Sequence, residues 1–324
     1  MAVTEALDKR RATIEDYLRI ARLDHATKHI FVLPGIALAW LLRGVQSTDV
    51  VFSVVLGFVC VVCIASANYV INEWLDRDFD RHHPTKSARA AVQAELQGRY
   101  VFLLWAVLAA IGLQAAATAS GTMFAVALVF LSQGVFYNVR PLRTKDRPYL
   151  DVVSEAINNP LRLMIGWAMI DPTSLPPFSI IAAYWVGGAF LMAAKRYSEY
   201  RQIVASHGRD LLVRYRRSFA GYTESALLIS CFVYALLAVS ALAVFFVKYR
   251  IEYMIAFPVL IAMFGQYLSL SMGDDSAAQK PEKLYREKKL LAIVAALSVV
   301  FVVFTFVDVP ALESLASQHF IELQ

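Results

Sequence analysis

The sequence predicts an all-α fold, a polytopic bundle of about nine transmembrane helices. Three observations lead there. Of 324 residues, 58% are hydrophobic, too apolar for a soluble domain of this length. The apolar residues fall into long runs parted by short charged stretches. Lys and Arg alternate between these stretches: 27 lie in one alternate set, 3 in the other, and Arg162 lies inside a run. A chain that crosses a bilayer repeatedly, with its basic loops on the cytoplasmic side, reads this way. In lipid every backbone group must be satisfied within the segment, so a helical bundle follows.

Charged residues of both signs are spread through the first 28 positions before any long apolar run, so a cleavable signal peptide is not expected. Residues 1–25 read as a cytoplasmic arm, amphipathic around Ile14–Ala26 and suited to the membrane surface. Apolar runs follow at about 26–42, 49–71, 100–118, 121–137, 150–170, 178–194, 225–247, 251–271 and 290–307. Most are long enough to span the hydrocarbon core; the first is short. Residues 26–307 form one transmembrane transferase domain in this reading, and 308–324 form an extracytoplasmic tail. The basic set places the N-terminus and the charged loops inside, in the inner (plasma) membrane. Cys60 and Cys63 form a C-x-x-C within an apolar run with no second pair, which reads as packing.

The chemistry concentrates where the second run ends. Asn72, Asp76 and Asp80 are four apart, so they share one helix face and drift by about 40° per step. Glu73 can join them, while Asp78 points elsewhere. A cationic half follows, with Arg81, Lys86, Arg89 and His83, and Pro84 to stop the helix. Oxygen donors for a hard divalent cation, Mg2+ or Mn2+, followed at once by cations, suit a metal-bound diphosphate. The plainer alternative is a charge-paired loop; the spacing and the position at a helix mouth favour the site.

In the fifth run, Asp151, Glu155, Asn158 and Arg162 fall at i, i+4, i+7 and i+11, one polar stripe on an apolar helix. Intramembrane ionisable residues usually face a cavity with a partner. Pro160 is expected to kink this helix. The alternative is a structural ion pair. Basic and tyrosyl residues flank the acidic mouths: Arg22 and Lys28 near the first helix, then Tyr137, Arg140, Arg143 and Lys145, then Lys195, Arg196, Tyr197 and Arg201, with Glu199 among them. Arginine forks and lysine point charges suit phosphate oxygens. Arg209, Arg214, Arg216 and Arg217 read as topology and headgroup contacts, as do Lys280, Lys283, Lys288 and Lys289.

With these residues in view, the chain resembles the UbiA superfamily of intramembrane transferases over roughly residues 18–307. Asn72-Glu-x-x-Asp76-x-x-x-Asp80 is similar to that family's N-D-x-x-D-x-x-x-D, with Glu73 for the first Asp. A narrower resemblance is to the polyprenyl-phosphate phosphoribosyltransferases, which make decaprenylphosphoryl-5-phosphoribose. It rests on Asp80-Arg-x-His-Pro-x-Lys-x-x-Arg89, on the Arg22/Lys28 and Asp151/Arg162 spacings, and on Met192-Ala-Ala-Lys-Arg-Tyr-x-Glu199. Ala90 stands for a usual Pro, His29 for a usual Asn, and Asn158-Asn159-Pro160 departs from the pattern. Prenyltransferases of the superfamily carry a second aspartate-rich motif near helix six. Here that place reads Lys195-Arg-Tyr-Ser-Glu199.

The resemblance implies magnesium-dependent transfer of 5-phosphoribose from phosphoribosyl diphosphate to a polyprenyl phosphate of the decaprenyl type. Asn72, Asp76 and Asp80 are then the reacting-site residues, which with Glu73 hold the metal, and the basic residues clamp phosphates. Partners are the two phosphorylated substrates and the bilayer; no nucleic acid is expected, and a homo-oligomer is left open. Two alternatives stay open: aromatic prenyl transfer from a polyprenyl diphosphate, and a membrane transporter or cation-binding protein built on the fifth-run stripe.

Overall fold

A computed structural model describes residues 10–273, 284 and 286–316, with the side chains at 24–28, 313, 315 and 316 outside the description. The Lys28 side chain, Lys280 and Lys283 therefore lie outside the described residues, as does the tail beyond 316. The chain is helical almost throughout. Its extended pairing among the described residues is a two-residue parallel bridge, β1 (Arg10–Arg11) on β2 (Ala94–Glu95).

The chain divides into two compact units, Met1–Pro176 with Tyr200–Thr223, and Pro177–Glu199 with Glu224–Gln324. The first contains α1 (Ile14–Ile20), a 3-10 stretch at Leu23–Val32, α2 (Leu33–Arg43), α3 (Val50–Asp80), α4 (Ala90–Gln93), α5 (Gly98–Ala119), α6 (Gly121–Asn138), α7 (Leu150–Ala156) and α8 (Asn158–Ile170). The end of α9 (Phe178–His207) and α10 (Arg209–Tyr215) complete it. The second holds the start of α9, then α11 (Glu224–Tyr249), a 3-10 turn at Ile251–Ala256, α12 (Phe257–Ser271), α13 (Lys288–Phe306) and α14 (Pro310–Ala316).

Seven helices among the described residues are long and apolar enough to cross a membrane. The sequence reading expected nine, and the two that fall short have local causes. The 26–42 run spends its first part in the 3-10 stretch, which leaves α2 with 11 residues. The 150–170 run breaks at Ile157 into α7 and α8. Pro160 then sits in the first turn of α8, where its missing N–H costs no helical hydrogen bond.

The first unit packs around α3. Cys60, Val61, Ile64, Ala65 and Ala67 of α3 meet Ala109, Ala115 and Ala116 of α5, Val126, Ala127 and Phe130 of α6, and Ile165, Ala168 and Met169 of α8. The many alanines let backbones approach closely, which is how helices associate where lipid removes the hydrophobic drive. Cys60 is a buried free thiol in this core, and Cys63 beside it is free and half-buried, consistent with the packing reading. A close backbone contact joins α2 to α8: a Cβ on Gly35 would overlap the Leu163 carbonyl, and one on Gly166 the Val32 carbonyl. At the far end of α2, Arg43 pairs with the buried Asp171 at 3.1 Å. Burial works against the charge on Asp171. Hydrogen bonds from Ser174 and Thr173 outweigh it and hold the carboxyl well below the usual carboxylate range.

The second unit is held by aromatic edges. Phe246 meets Phe245, Tyr253, Phe257 and Phe301, and Phe190 meets Phe264 and Tyr267. Arg250 fastens one end by bonding the carbonyls of Phe304 and Val307 and pairing with Glu252 and Asp308.

The glycine pair gives a direct check on this packing. Gly166→Val should lower the thermal midpoint in detergent sharply, since overpacking costs about 1–3 kcal/mol and a clash with backbone sits at or above that range. Gly265→Val, where an added Cβ meets nothing within 4 Å, should leave the midpoint within error. Equal midpoints for the two variants would contradict the close approach of α2 and α8.

Candidate active site: an acidic helix end held by arginines

The last three turns of α3 carry the acidic stripe, and α3 ends at Asp80, four residues before Pro84. Asn72, Glu73, Asp76 and Asp80 lie as the spacing predicts, but each is engaged. Glu73, 4% exposed, pairs with Arg22 at 3.2 Å and Arg89 at 3.6 Å. Asp80 takes Arg89 at 2.7 Å. Asp76 takes Lys145 at 2.6 Å and Arg143 at 2.8 Å. Asn72 donates to the Asn138 side-chain oxygen at 2.6 Å, which also accepts from Lys145 at 2.7 Å.

Three loops deliver these cations. The arm supplies Arg22, the segment after α3 supplies Arg89, and the turn after α6 supplies Arg143 and Lys145. Arg143 is clamped on all sides: it bonds the Asn138 carbonyl, pairs with Asp146 and lies over the Phe79 ring. Lys145 is 4% exposed. Burial pulls its ammonium down to about 8, against the pull of the Asp76 carboxylate. Two of these residues hold left-handed backbone, Arg22 at φ 52° and Arg143 at φ 30°. Non-glycine residues in that region are strained by about 1–3 kcal/mol and persist only where surroundings hold them.

The fifth-run stripe is divided by the break at Ile157. Asp151 is fully buried and accepts from Tyr222 at 2.6 Å and Ser218 at 3.0 Å, with Arg216 at 3.3 Å. Arg216 also donates to the Tyr137 hydroxyl at 2.9 Å, and that hydroxyl donates to Glu155 at 2.8 Å. Tyr149, at φ 65°, gives its backbone N–H to Tyr222. Deeper in the unit, Arg162 donates to the Asn158 carbonyl at 3.0 Å and lies over Phe130. The four residues therefore do not form one uninterrupted stripe on one helix.

The remaining predicted residues divide as follows. Arg81 pairs with Asp78 at 3.1 Å on the exposed side. His83 meets the Tyr215 ring edge-on, and Lys86 stands over the same ring. Arg140 is exposed and Arg201 half-buried. In the second unit Lys195 is half-buried, Arg196 pairs with Glu199 at 3.2 Å, and Tyr197 donates to Glu224 at 3.5 Å.

Arg216 corrects the sequence reading, which gave it to headgroups. Its side chain is 16% exposed and pairs with Asp151, whereas Arg217 is 54% exposed and only reaches Asp146 at 4.0 Å. Ser218, Tyr222 and Asn138 were also missed. Arg214, Arg216 and Arg217 crowd into four residues, so only the fold separates the largely buried Arg216 from the exposed Arg217.

As a metal site, Asn72, Glu73, Asp76 and Asp80 fit by chemistry: oxygen donors alone, on one face of a helix end, suit a hard cation. Among the described residues, no three His, Cys, Asp or Glu side chains gather closely enough to enclose an ion. A divalent cation would therefore displace arginine and lysine from these carboxylates.

Arg216→Ala should destabilise the purified protein by about 3 kcal/mol or more, because it leaves Asp151 buried without its cation. Arg217→Ala should cost less than about 1 kcal/mol. Thermal midpoints in detergent decide it, and equal losses would return Arg216 to the surface role.

The UbiA prenyltransferase family model matches residues 30–293. Among curated proteins, the protoheme IX farnesyltransferase of Geobacillus thermodenitrificans is 29% identical over 163 residues, 49% of this chain and 52% of that protein. The decaprenyl-phosphate phosphoribosyltransferase of Mycolicibacterium smegmatis is 27% identical over 179 residues, 55% of this chain and 53% of that protein. The chain spans about half the length of the curated relatives it matches. Among solved structures, a UbiA homolog from Archaeoglobus fulgidus bound to DMAPP and Mg2+ aligns with TM-score 0.67 at 22% identity, covering 90% of this chain and 100% of that one. That likeness speaks for the fold. With the motif at the end of α3 and a family match across most of its length, this integral membrane protein belongs to the UbiA prenyltransferase family.

Proposed function

We propose that this protein transfers 5-phosphoribose from phosphoribosyl diphosphate to a polyprenyl phosphate and releases diphosphate. The observation that carries the reading is the set of basic side chains gathered at the acidic helix end. Arg22, Arg89, Arg143 and Lys145 attend three carboxylates, and Arg216 stands at Asp151. Prenyl transfer to an aromatic acceptor has one phosphorylated substrate. A phosphoribosyl transfer to a lipid phosphate has two, and it needs more positive charge than acidic clusters leave.

In this reading Asn72, Glu73, Asp76 and Asp80 hold magnesium, which when bound neutralises charge on the departing diphosphate. Arg143 and Lys145, set against Asp76, hold donor phosphates and keep the sugar C1 in line. The C1–O bond to diphosphate breaks, and an acceptor phosphate oxygen forms the new C1–O bond from the opposite face. That oxygen is already anionic, so no strong general base is required. The side chains contribute orientation and charge stabilisation, the two effects available where little covalent chemistry falls to the protein. Residues 1–25 serve as the arm, 26–307 as the transferase domain and 308–324 as the tail, with the charged loops on the cytoplasmic side where the soluble donor is found.

The second reading is prenyl transfer from a prenyl diphosphate to an aromatic acceptor. Protoheme IX farnesyltransferases match this chain as well as the phosphoribosyltransferases do. Membranes containing the protein, incubated with magnesium and radiolabelled donor, separate the two. Labelled phosphoribosyl diphosphate should yield a labelled lipid phosphate, with product lost in excess EDTA and in Asp76→Asn. Label entering lipid only from a prenyl diphosphate would overturn the phosphoribosyl reading.

A further inference from the structure

A cavity of about 450 Å³ opens beside the arm, lined by Glu15, Leu18, Arg19, Arg22, Leu23, Glu73, Ala88, Arg89 and Ala90. This volume is within the ~300–1,000 Å³ range of small-molecule sites. Its wall is built firmly. Ile20 and Ala21 of α1 are buried against Val70, Ala91, Leu96 and Val101. The Tyr17 hydroxyl accepts from the Gln97 backbone at 2.9 Å. Asp16 caps the start of α1, accepting from Thr13 and paired with Arg10 at 2.5 Å. The polypeptide leaves α1 through Arg22, whose left-handed backbone brings its guanidinium to Glu73.

The lining is amphipathic in a particular order. Arg22 and Arg89, 22% and 23% exposed, share Glu73. Arg19 is exposed and pairs with Glu15, also exposed, at 2.7 Å, a pair that solvent screens and that a stronger anion displaces. Leu18 and Leu23 stand at the rim, 54% and 57% exposed, with Ile14 at 82% nearby. Exposed leucines on a short helix whose other face is docked are placed for the lipid interface. Three guanidiniums thus converge on the cavity, Arg89 also pairing with Asp80 behind it, beneath a rim that suits hydrocarbon.

We propose that this cavity binds the phosphate monoester of a single-chain lipid. The phosphate lies across Arg19, Arg22 and Arg89, and the chain runs out over Leu18 and Leu23. Three guanidinium forks suit a doubly charged tetrahedral anion better than a diester carrying one charge. The inference rests on the transferase reading for the identity of the lipid, since it gives the polyprenyl phosphate acceptor a place; the cavity and its charges stand without it.

The test is a binding measurement on the purified full chain in detergent, without donor or divalent metal. Farnesyl monophosphate is the probe; inorganic phosphate, farnesol and dioleoyl phosphatidic acid are the comparisons. Arg19→Ala and Leu23→Asp change exposed side chains, and unchanged thermal midpoints confirm that the variants fold. Wild type should bind farnesyl monophosphate at least a hundredfold tighter than phosphate or farnesol, and each variant should weaken binding roughly tenfold or more. Binding by both variants at wild-type strength would overturn the site. Phosphate binding as tightly as farnesyl monophosphate would make it a free-anion site, and equal competition by phosphatidic acid a general headgroup site; either result overturns the proposal. Binding of phosphoribosyl diphosphate with magnesium is measured in parallel. If that donor fails to bind wild type while farnesyl monophosphate binding still depends on Arg19, the cavity stands and the transferase reading falls.

Discussion

The arrangement depends on neutralising carboxylates at a helix end that is largely out of water. Glu73, Asp80 and Asp151 are at most 5% exposed. A buried carboxylate left alone costs several kcal/mol, and in practice it picks up a proton or a partner. Each has an arginine from another segment: Arg22 from the arm, Arg89 from the loop just beyond α3 and Arg216 from beyond α10. Charge compensation thus ties these stretches of chain to α3 and α7, and it adds to the apolar contacts that seat the arm.

Backbone strain marks the same place. The non-glycine residues at positive φ among those described are Arg22, Arg143 and Tyr149. Arg22 reaches Glu73, Arg143 reaches Asp76, and the N–H of Tyr149 holds the Tyr222 hydroxyl that donates to Asp151. Every strained position ends on one of the acidic groups. The ion pairs and hydrogen bonds made there offset the strain, and removing a carboxylate should release the loop as well as the charge. In the proposed reading, a divalent cation that took the carboxylates would leave the arginines and lysine in place, facing phosphate.

Much of this was legible in the sequence where physics is local. Hydropathy runs gave the helices because each must bury or face lipid along its length. The four-residue spacing of Asn72, Asp76 and Asp80 gave one face because helix geometry is fixed. What escaped was set by tertiary context. Arg216 and Arg217 are neighbours of the same type, and only the fold of the α10 segment buries one against Asp151. The fifth run looked like one kinked helix; it is interrupted at the single residue Ile157, three before Pro160, which sits in the first turn of α8. Asn138 closes the Asn72–Lys145–Asp76 linkage, yet as the last residue of α6 it resembled an ordinary helix end.

The central claim is that the cations at this helix end change partners, from carboxylates to phosphates, when a divalent ion arrives. A calorimetric titration of phosphoribosyl diphosphate into the purified protein, repeated at rising magnesium concentration, measures that linkage. The account predicts weak binding in EDTA, affinity that rises with magnesium until saturation, and loss of the rise in Asp80→Asn. Affinity that is the same with and without magnesium would contradict it.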